Sequence, residues 1–247
     1  MNSELLKSFS IKRFTDQGQQ ELHDQVVVEK TVKLVIDGGE PLAVSLSPHL
    51  LEEFLCGFLL TSGFIRSLAD IREYSIGPDS LEVSLLKPVA GHRALASGCT
   101  GTPLPEAFFD RPPLPPQPFP ESEILLPGFA KFLACGEIFQ ASGGTHAAAL
   151  ARNGEILCFA EDIGRHNALD KVVGMALKAG LDFSGLSFYS SGRVSAEIVR
   201  KALRAGIGII VSHSAPTSLA VRLAIRANLT LLGFVRGRRF NVYSGAP

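Results

Sequence analysis

Glu161 to Lys171, reading EDIGRHNALDK, sets two glutamate or aspartate carboxylates, a guanidinium and an imidazole just ahead of an apolar helical repeat. Asn167 is a cap type, Asp170 follows three residues on, and Ala168, Leu169, Val172, Val173, Ala176 and Leu177 recur at helical spacing. A helix is therefore expected to start near Ala168. Its first turn offers unpaired N–H groups and the positive end of the helix dipole, while Gly164 permits a close approach to the backbone, as an anion or nucleotide pocket requires. The same residues also read as a local ion-pair network, Arg165 with Asp162 or Glu161.

A second candidate is a thiol. Cys56 in FLCGFLL, Cys135 in FLACG and Cys158 in ILCFA have the apolar neighbours of small core residues. Cys99 lies instead in Ser97-Gly98-Cys99-Thr100-Gly101-Thr102-Pro103, with glycines on both sides. A thiolate on such a loop can attack a disulfide or take up a sulfane sulfur as a persulfide, with His92 and Arg93 as electrostatic help. An incidental surface cysteine beside a Pro-rich stretch is the plainer alternative.

The elements that would position these groups divide the chain in two. From Val26 to Val44 a hairpin is expected around Asp37-Gly38-Gly39, followed by a helix over Leu50 to Thr61 and a second hairpin, Ser75 to Leu86, around Gly77-Pro78-Asp79. Eight prolines between Thr102 and Ser122 then forbid a regular ladder. The boundary is placed there, between an α+β portion over residues 1–110 and an α/β domain over 121–247.

The second part opens with a helix expected from about Ser122 to Phe139 and a hairpin, Thr145 to Ala160, turning at Asn153-Gly154. After the charged stretch come strand Leu186 to Ser190, helix Ser195 to Ala205, strand Gly208 to Val211, helix Thr217 to Ala227 and strand Leu229 to Val235. Such alternation predicts the α/β class, with a parallel or mostly parallel sheet. Ligands of such sheets bind beyond the carboxyl ends of the strands. Those ends lead here into Ser190-Ser191-Gly192-Arg193, Ser212-His213-Ser214 and Arg236-Gly237-Arg238-Arg239, a lining suited to phosphate, with Phe234, Phe240 and Tyr243 available to stack on a base. An exposed turn between two final strands would explain the same arginines. His146, His166 and His213 belong to no HxE, CxxC or HExxH arrangement, so no metal site is expected.

The balance of 24 basic against 24 acidic residues provides no overall field for a nucleic acid or an anionic membrane. No apolar run is long enough to span a bilayer, and the N-terminus lacks a leader pattern. A cytoplasmic protein with free thiols is expected.

SGGTHAAAL from Ser142, EDIGRHNALDKVVG from Glu161, SGRVSAEIVRKALRAG from Ser191, SHSAPTSLAVRLA from Ser212 and FVRGRRFNVY from Phe234 closely resemble, in order, the motifs of the formate dehydrogenase accessory sulfurtransferase family, FdhD. Glu40-Pro41-Leu42 and Gly57-Phe58-Leu59 resemble its N-terminal half more weakly. The resemblance implies a cytidine-deaminase-like, three-layer α/β fold without the deaminase zinc. It also implies transfer of persulfide sulfur from a cysteine desulfurase to the molybdenum of molybdopterin guanine dinucleotide, which activates formate dehydrogenase. Both proteins are implied partners, and a homodimer is among the assemblies open to it.

Carried over by position, Cys99 is the sulfur-bearing residue, and the cofactor segment is Phe234, Val235, Arg236, Gly237, Arg238 and Arg239, with Arg193, His166 and Ser214 as neighbours. The family loop carries two cysteines as GCGxCG; here Thr102 stands at the second, leaving this loop one thiol. A chaperone that only holds the cofactor is the alternative function. A nucleotide hydrolase is a third, although it lacks a metal motif to activate water.

Overall fold

The computed structural model describes residues 4–87, 113–115 and 117–245. Cys99 lies outside them. The chain begins with a hairpin, β1 (Leu6–Thr15) and β2 (Gly18–Val27), paired as a separate two-stranded sheet. A four-stranded sheet follows, built from β3 (Lys30–Ile36), β4 (Leu42–Leu46), β5 (Ile71–Ile76) and β6 (Ser80–Leu85) in the order β4-β3-β6-β5. Both hairpins expected in this region are present, β3 with β4 and β5 with β6. Helix α1 (Leu51–Ser62) packs Phe54, Leu55, Phe58 and Leu59 onto the inward residues Val32, Leu34, Leu81 and Val83.

The larger sheet has six strands: β7 (His146–Arg152), β8 (Glu155–Asp162), β9 (Ser187–Ser190), β10 (Ile209–Ser212), β11 (Thr230–Arg236) and β12 (Arg239–Ser244). Their order is β12-β11-β10-β9-β7-β8. Only β9, β10 and β11 run parallel; β7 is antiparallel to β9 and β8, and β12 to β11. The sheet is thus mixed, because hairpins flank the βαβαβ centre on both sides.

Both faces of this sheet are buried, and residue parity divides them. Ala148, Leu150, Phe188, Ile210 and Leu231 meet α4 (Arg165–Lys178), α5 (Ala196–Ala205) and α6 (Ser218–Arg226). Ala147, Ala149, Tyr189, Val211 and Leu232 meet Leu125, Phe129 and Phe132 of α2 (Ser122–Ala134). The alternation follows from the two-residue period of a strand, and the near absence of outward polar residues marks central strands covered by helices.

The two sheets share one core through α1 and α4. Gly57 lies against the backbone of Asp170 and Gly174, and Gly174 lies against the backbone of Glu53, so a Cβ at either glycine would collide with main chain. Close backbone approach is the physical reason for glycine at both sites.

Three local expectations change. The helix expected over Ser122 to Phe139 breaks into α2 and α3 (Glu137–Ser142), separated at Cys135 and Gly136. Cys135 consequently sits exposed at the end of α2 rather than in the core, whereas Cys56 and Cys158 are buried. Helix α4 starts at Arg165 with Gly164 as its cap, because Asn167 is used by tertiary contacts instead.

The Pro-rich stretch is docked where it is described. Leu114 donates its N–H to Ala227 O at 2.9 Å, and Asn228 Nδ2 donates to Leu114 O at 3.0 Å.

Candidate functional site at the carboxyl edge of the sheet

The register brings six strand ends to one edge. Ser190, Ser212 and Arg236 terminate the parallel strands β9, β10 and β11. Asp162, the last residue of β8, pairs with His146, the first of β7, and Arg239 opens β12 opposite Arg236. The loops anticipated as one lining therefore do share an edge.

Hydrogen bonds tie these loops to each other. Ser212 Oγ donates to Gly192 O at 2.8 Å and accepts from Ser214 N at 3.0 Å, while Gly192 N donates to Ser190 Oγ at 3.1 Å. Phe234 N then donates to Ser214 O at 3.1 Å, and His213 N to Ser190 O at 2.9 Å. Ser212 is fully buried, so its hydroxyl fixes the loops from behind.

Phe234 sits on a bulge: between the pairs Gly233 with Asn241 and Arg236 with Arg239, β11 advances one residue more than β12. Its φ of 51° is the left-handed region, an uncommon state for a bulky side chain. The Phe234 N–H bond to Ser214 helps hold that conformation, and the bulge changes the facing of the strand at its end. The Arg236 guanidinium lies over the Phe234 ring, 5.4 Å from its centroid. Gly237 and Arg238 form the turn, where Arg238 and Arg239 are exposed; the two-final-strands reading of these arginines is correct as to structure.

The first turn of α4 borders the same edge. Gly164 provides no side-chain cap, and Gly192 has Arg165 Cβ and His146 Nδ1 each 3.2 Å from where a Cβ would stand. Arg165 Nε is enclosed without a hydrogen-bond partner. A helix start, Arg165 and the exposed Arg193 together present donors suited to an anionic group.

His166 projects toward α5, with Nε2 3.3 Å from Ser195 Oγ and 3.5 Å from the Glu197 carboxylate. Burial, reinforced by Lys201, Arg165 and Arg200, pushes its pKa down to about 3 despite Glu197. Burial likewise lowers His146, with Arg165 and Arg193 adding to it. At neutral pH both rings are uncharged.

Most of the charge in EDIGRHNALDK has gone into architecture. Glu161 accepts from Ile138 N at 2.9 Å, Phe139 N at 2.8 Å and Thr145 Oγ1 at 2.7 Å, holding the start of α3. Asp162 and Lys171, each with a 0% exposed side chain, pair at 2.6 Å. Asp162 also accepts from Ser47 N at 3.0 Å, Gly164 N at 2.8 Å and Asn167 Nδ2 at 2.9 Å, and Lys171 donates to Ser47 O at 3.0 Å. Asp170 pairs with Lys201 at 2.6 Å and accepts from Thr61 Oγ1 at 2.6 Å. The partners are Lys171 and Lys201, not the Arg165 expected from proximity in sequence.

Of the residues selected from the sequence, Arg193, Ser214 and Phe234 to Arg239 stand on this edge, and His166 stands behind it with its ring engaged. Gly192 and Ser212 stand in the strand-end segments read from the sequence as lining, and Arg165 in the charged helix entry, but none of the three was named as a cofactor contact. Ser212 carried a signal, being a hydroxyl at the last position of a buried apolar strand; the packing around Gly192 carried none.

These features define an α/β protein whose carboxyl sheet edge combines anion donors with an aromatic on a strained bulge. Residues 27–247 match the FdhD/NarQ family, and the chain belongs to that family. It is 39% identical over 257 residues to the sulfur carrier protein FdhD of Nocardia farcinica, covering 96% of this chain and 92% of the relative. It is 34% identical over 249 residues to the protein of that description from Listeria innocua, covering 95% of each. The crystal structure of a candidate formate dehydrogenase accessory protein from Desulfotalea psychrophila superposes with a TM-score of 0.80 at 27% identity, covering 98% of this chain and 97% of that one.

Two outcomes are expected. Lys171→Met leaves a fully buried carboxylate without its cation and should reduce folding stability by about 3–5 kcal/mol, read as a lowered denaturation midpoint; a loss below about 1 kcal/mol contradicts the assigned pair.

The second concerns pH. His49, pushed down to about 4 chiefly by burial and then by Lys171, joins His166 at about 3 as a ring neutral in the fold. Below pH 6.5, the ordinary histidine value, the unfolded chain binds protons that the native state refuses, so stability falls as pH drops. Each ring contributes up to about 1.4 kcal/mol per pH unit between roughly 6.5 and 4. Denaturation at stepped pH should show this slope, and a His49→Asn, His166→Asn variant with an unchanged slope contradicts it.

Proposed function

We propose that this chain is a sulfurtransferase that delivers persulfide sulfur to the molybdenum of molybdopterin guanine dinucleotide, enabling formate dehydrogenase activity. The convergence of the three loops beyond β9, β10 and β11 on one edge carries the reading, because arginines and helix-start N–H groups suit the cofactor's phosphates. The sulfur carrier proteins FdhD that cover nearly its whole length support the sulfur chemistry.

Cys99 is the proposed carrier. Its thiolate attacks the terminal sulfur of a cysteine desulfurase persulfide; a new S–S bond forms on Cys99 as the donor's S–S bond breaks and its thiolate leaves. Release of the carried sulfur as sulfide takes two electrons, supplied by a reduced metal centre or an external thiol pair. The cofactor is cargo, held at Phe234 to Arg239 with Arg193 and Ser214, while His166 supports the edge from behind. Cytoplasmic location and assembly as a monomer or homodimer belong to the same proposal.

Thr102 at the family's second loop cysteine favours one competing reading, a chaperone that holds the cofactor without carrying sulfur. Mass spectrometry after incubation with a desulfurase and cysteine separates the two: one added sulfur on Cys99 supports the carrier, and none supports the chaperone. Cys99→Ala should reduce formate dehydrogenase activation to background while leaving the circular dichroism spectrum unchanged. Full activation by that variant removes the covalent relay.

A further inference from the structure

His213 lies between the ends of β10 and β11, and one of its ring nitrogens is committed. Nδ1 is 3.1 Å from Val235 O. A carbonyl oxygen only accepts, so Nδ1 carries a proton, and in the neutral form of such a ring Nε2 is a lone pair. Nε2 has no hydrogen-bond partner among the described residues, and His213 is partly exposed.

The residue is held in place by its own backbone. His213 N donates to Ser190 O at 2.9 Å, and His213 O accepts from Arg236 Nε at 3.4 Å. The next residue is tied in turn, Ser214 N to Ser212 Oγ at 3.0 Å and Ser214 O to Phe234 N at 3.1 Å. The loop that carries His213 is thereby tied to the bulge that carries Phe234.

Apart from the buried and internally paired Asp162, the charged side chains along this edge, Arg165, Arg193, Arg236, Arg238 and Arg239, are donors. They match phosphate oxygens, whereas the Nε2 lone pair repels them. The ligand group that meets Nε2 must donate. We propose that His213 is the residue that selects the ligand's heterocycle, with Nε2 accepting a hydrogen bond from the 2-amino group of the 2-amino-4-oxopyrimidine edge that guanine and pterin rings share. This rests on the cofactor reading above and adds which atom recognises it. Adenine and hypoxanthine lack the 2-amino group.

The test uses the full chain and its His213→Asn variant at pH 8, where an imidazole is neutral. The asparagine amide can still donate to Val235 O but offers no acceptor at the Nε2 position. The probes are GDP against IDP, which lacks the amino group, and pterin against lumazine, which carries a carbonyl in its place.

The unaltered chain should prefer one amino-bearing probe about five- to tenfold, the effect of one hydrogen bond. The variant should bind both members of that pair alike, with its unliganded melting temperature unchanged. Preference within the nucleotides assigns His213 to the guanine end, and preference within the pteridines assigns it to the pterin end. A preference that survives in the variant, or no preference in the unaltered chain, overturns the inference while leaving the cofactor reading intact. If none of the four probes binds the unaltered chain, both fall together.

A readout without substitution guards against a variant that fails to fold. In 15N NMR, Nε2 of His213 should resonate as an unprotonated imidazole nitrogen and move on adding the preferred probe but not its deaminated counterpart. A protonated Nε2 at pH 8 overturns the inference.

Discussion

The Asp162 carboxylate is the constraint on which the rest of the molecule depends. It is fully buried, and it takes hydrogen bonds from Lys171, Ser47, Gly164 and Asn167. Those partners come from the start of α4, from its second turn and from the segment after β4. A charge at such depth is tolerated only when every lone pair is engaged. One carboxylate therefore fixes where α4 starts and how the smaller sheet meets it. Asp170, with Lys201 and Thr61, repeats the device one face further round and joins α4 to α5 and α1.

That anchoring leaves the carboxyl edge free for recognition. Asp162, at the end of β8 just ahead of α4, is satisfied internally by Lys171 and so does not compete for Arg165. Burial keeps His146 and His166 uncharged, and the surrounding arginines favour that state. The positive character of the edge consequently resides in guanidinium groups, which hold their charge at any ordinary pH. Ser212 and the Phe234 bulge give the loops a fixed shape before a ligand arrives, which lowers the ordering cost of binding.

Legibility in the sequence followed how local each interaction is. The starts of α5 and α6 could be read because Ser195 and Thr217 cap residues only three positions on, Ile198 at 3.4 Å and Ala220 at 3.3 Å. The hairpins turning at Asp37-Gly38 and Asn153-Gly154 were equally legible, since left-handed residues occupy both turns. The β1–β2 hairpin was not, because its residues are exposed on both faces and no burial period marks them. The ion pairs were hidden by distance along the chain: Asp162 is nine residues from Lys171, and Asp170 is 31 from Lys201. Neither has the three- or four-residue spacing that announces a helical pair. Asn167 looked like a cap, but its amide reaches Ser45 O across 122 residues, and the helix starts earlier.

In the function proposed, the cofactor is recognised on one edge of the six-stranded sheet, while the buried charges serve the architecture. Amide hydrogen exchange with and without the guanine dinucleotide cofactor measures this directly. Slowed exchange is expected at residues 190–193, 212–216 and 234–239, with little change in the inner turns of α4 or in the four-stranded sheet. Protection concentrated on the smaller sheet or on the far ends of β9, β10 and β11, with these three loops unchanged, would contradict it.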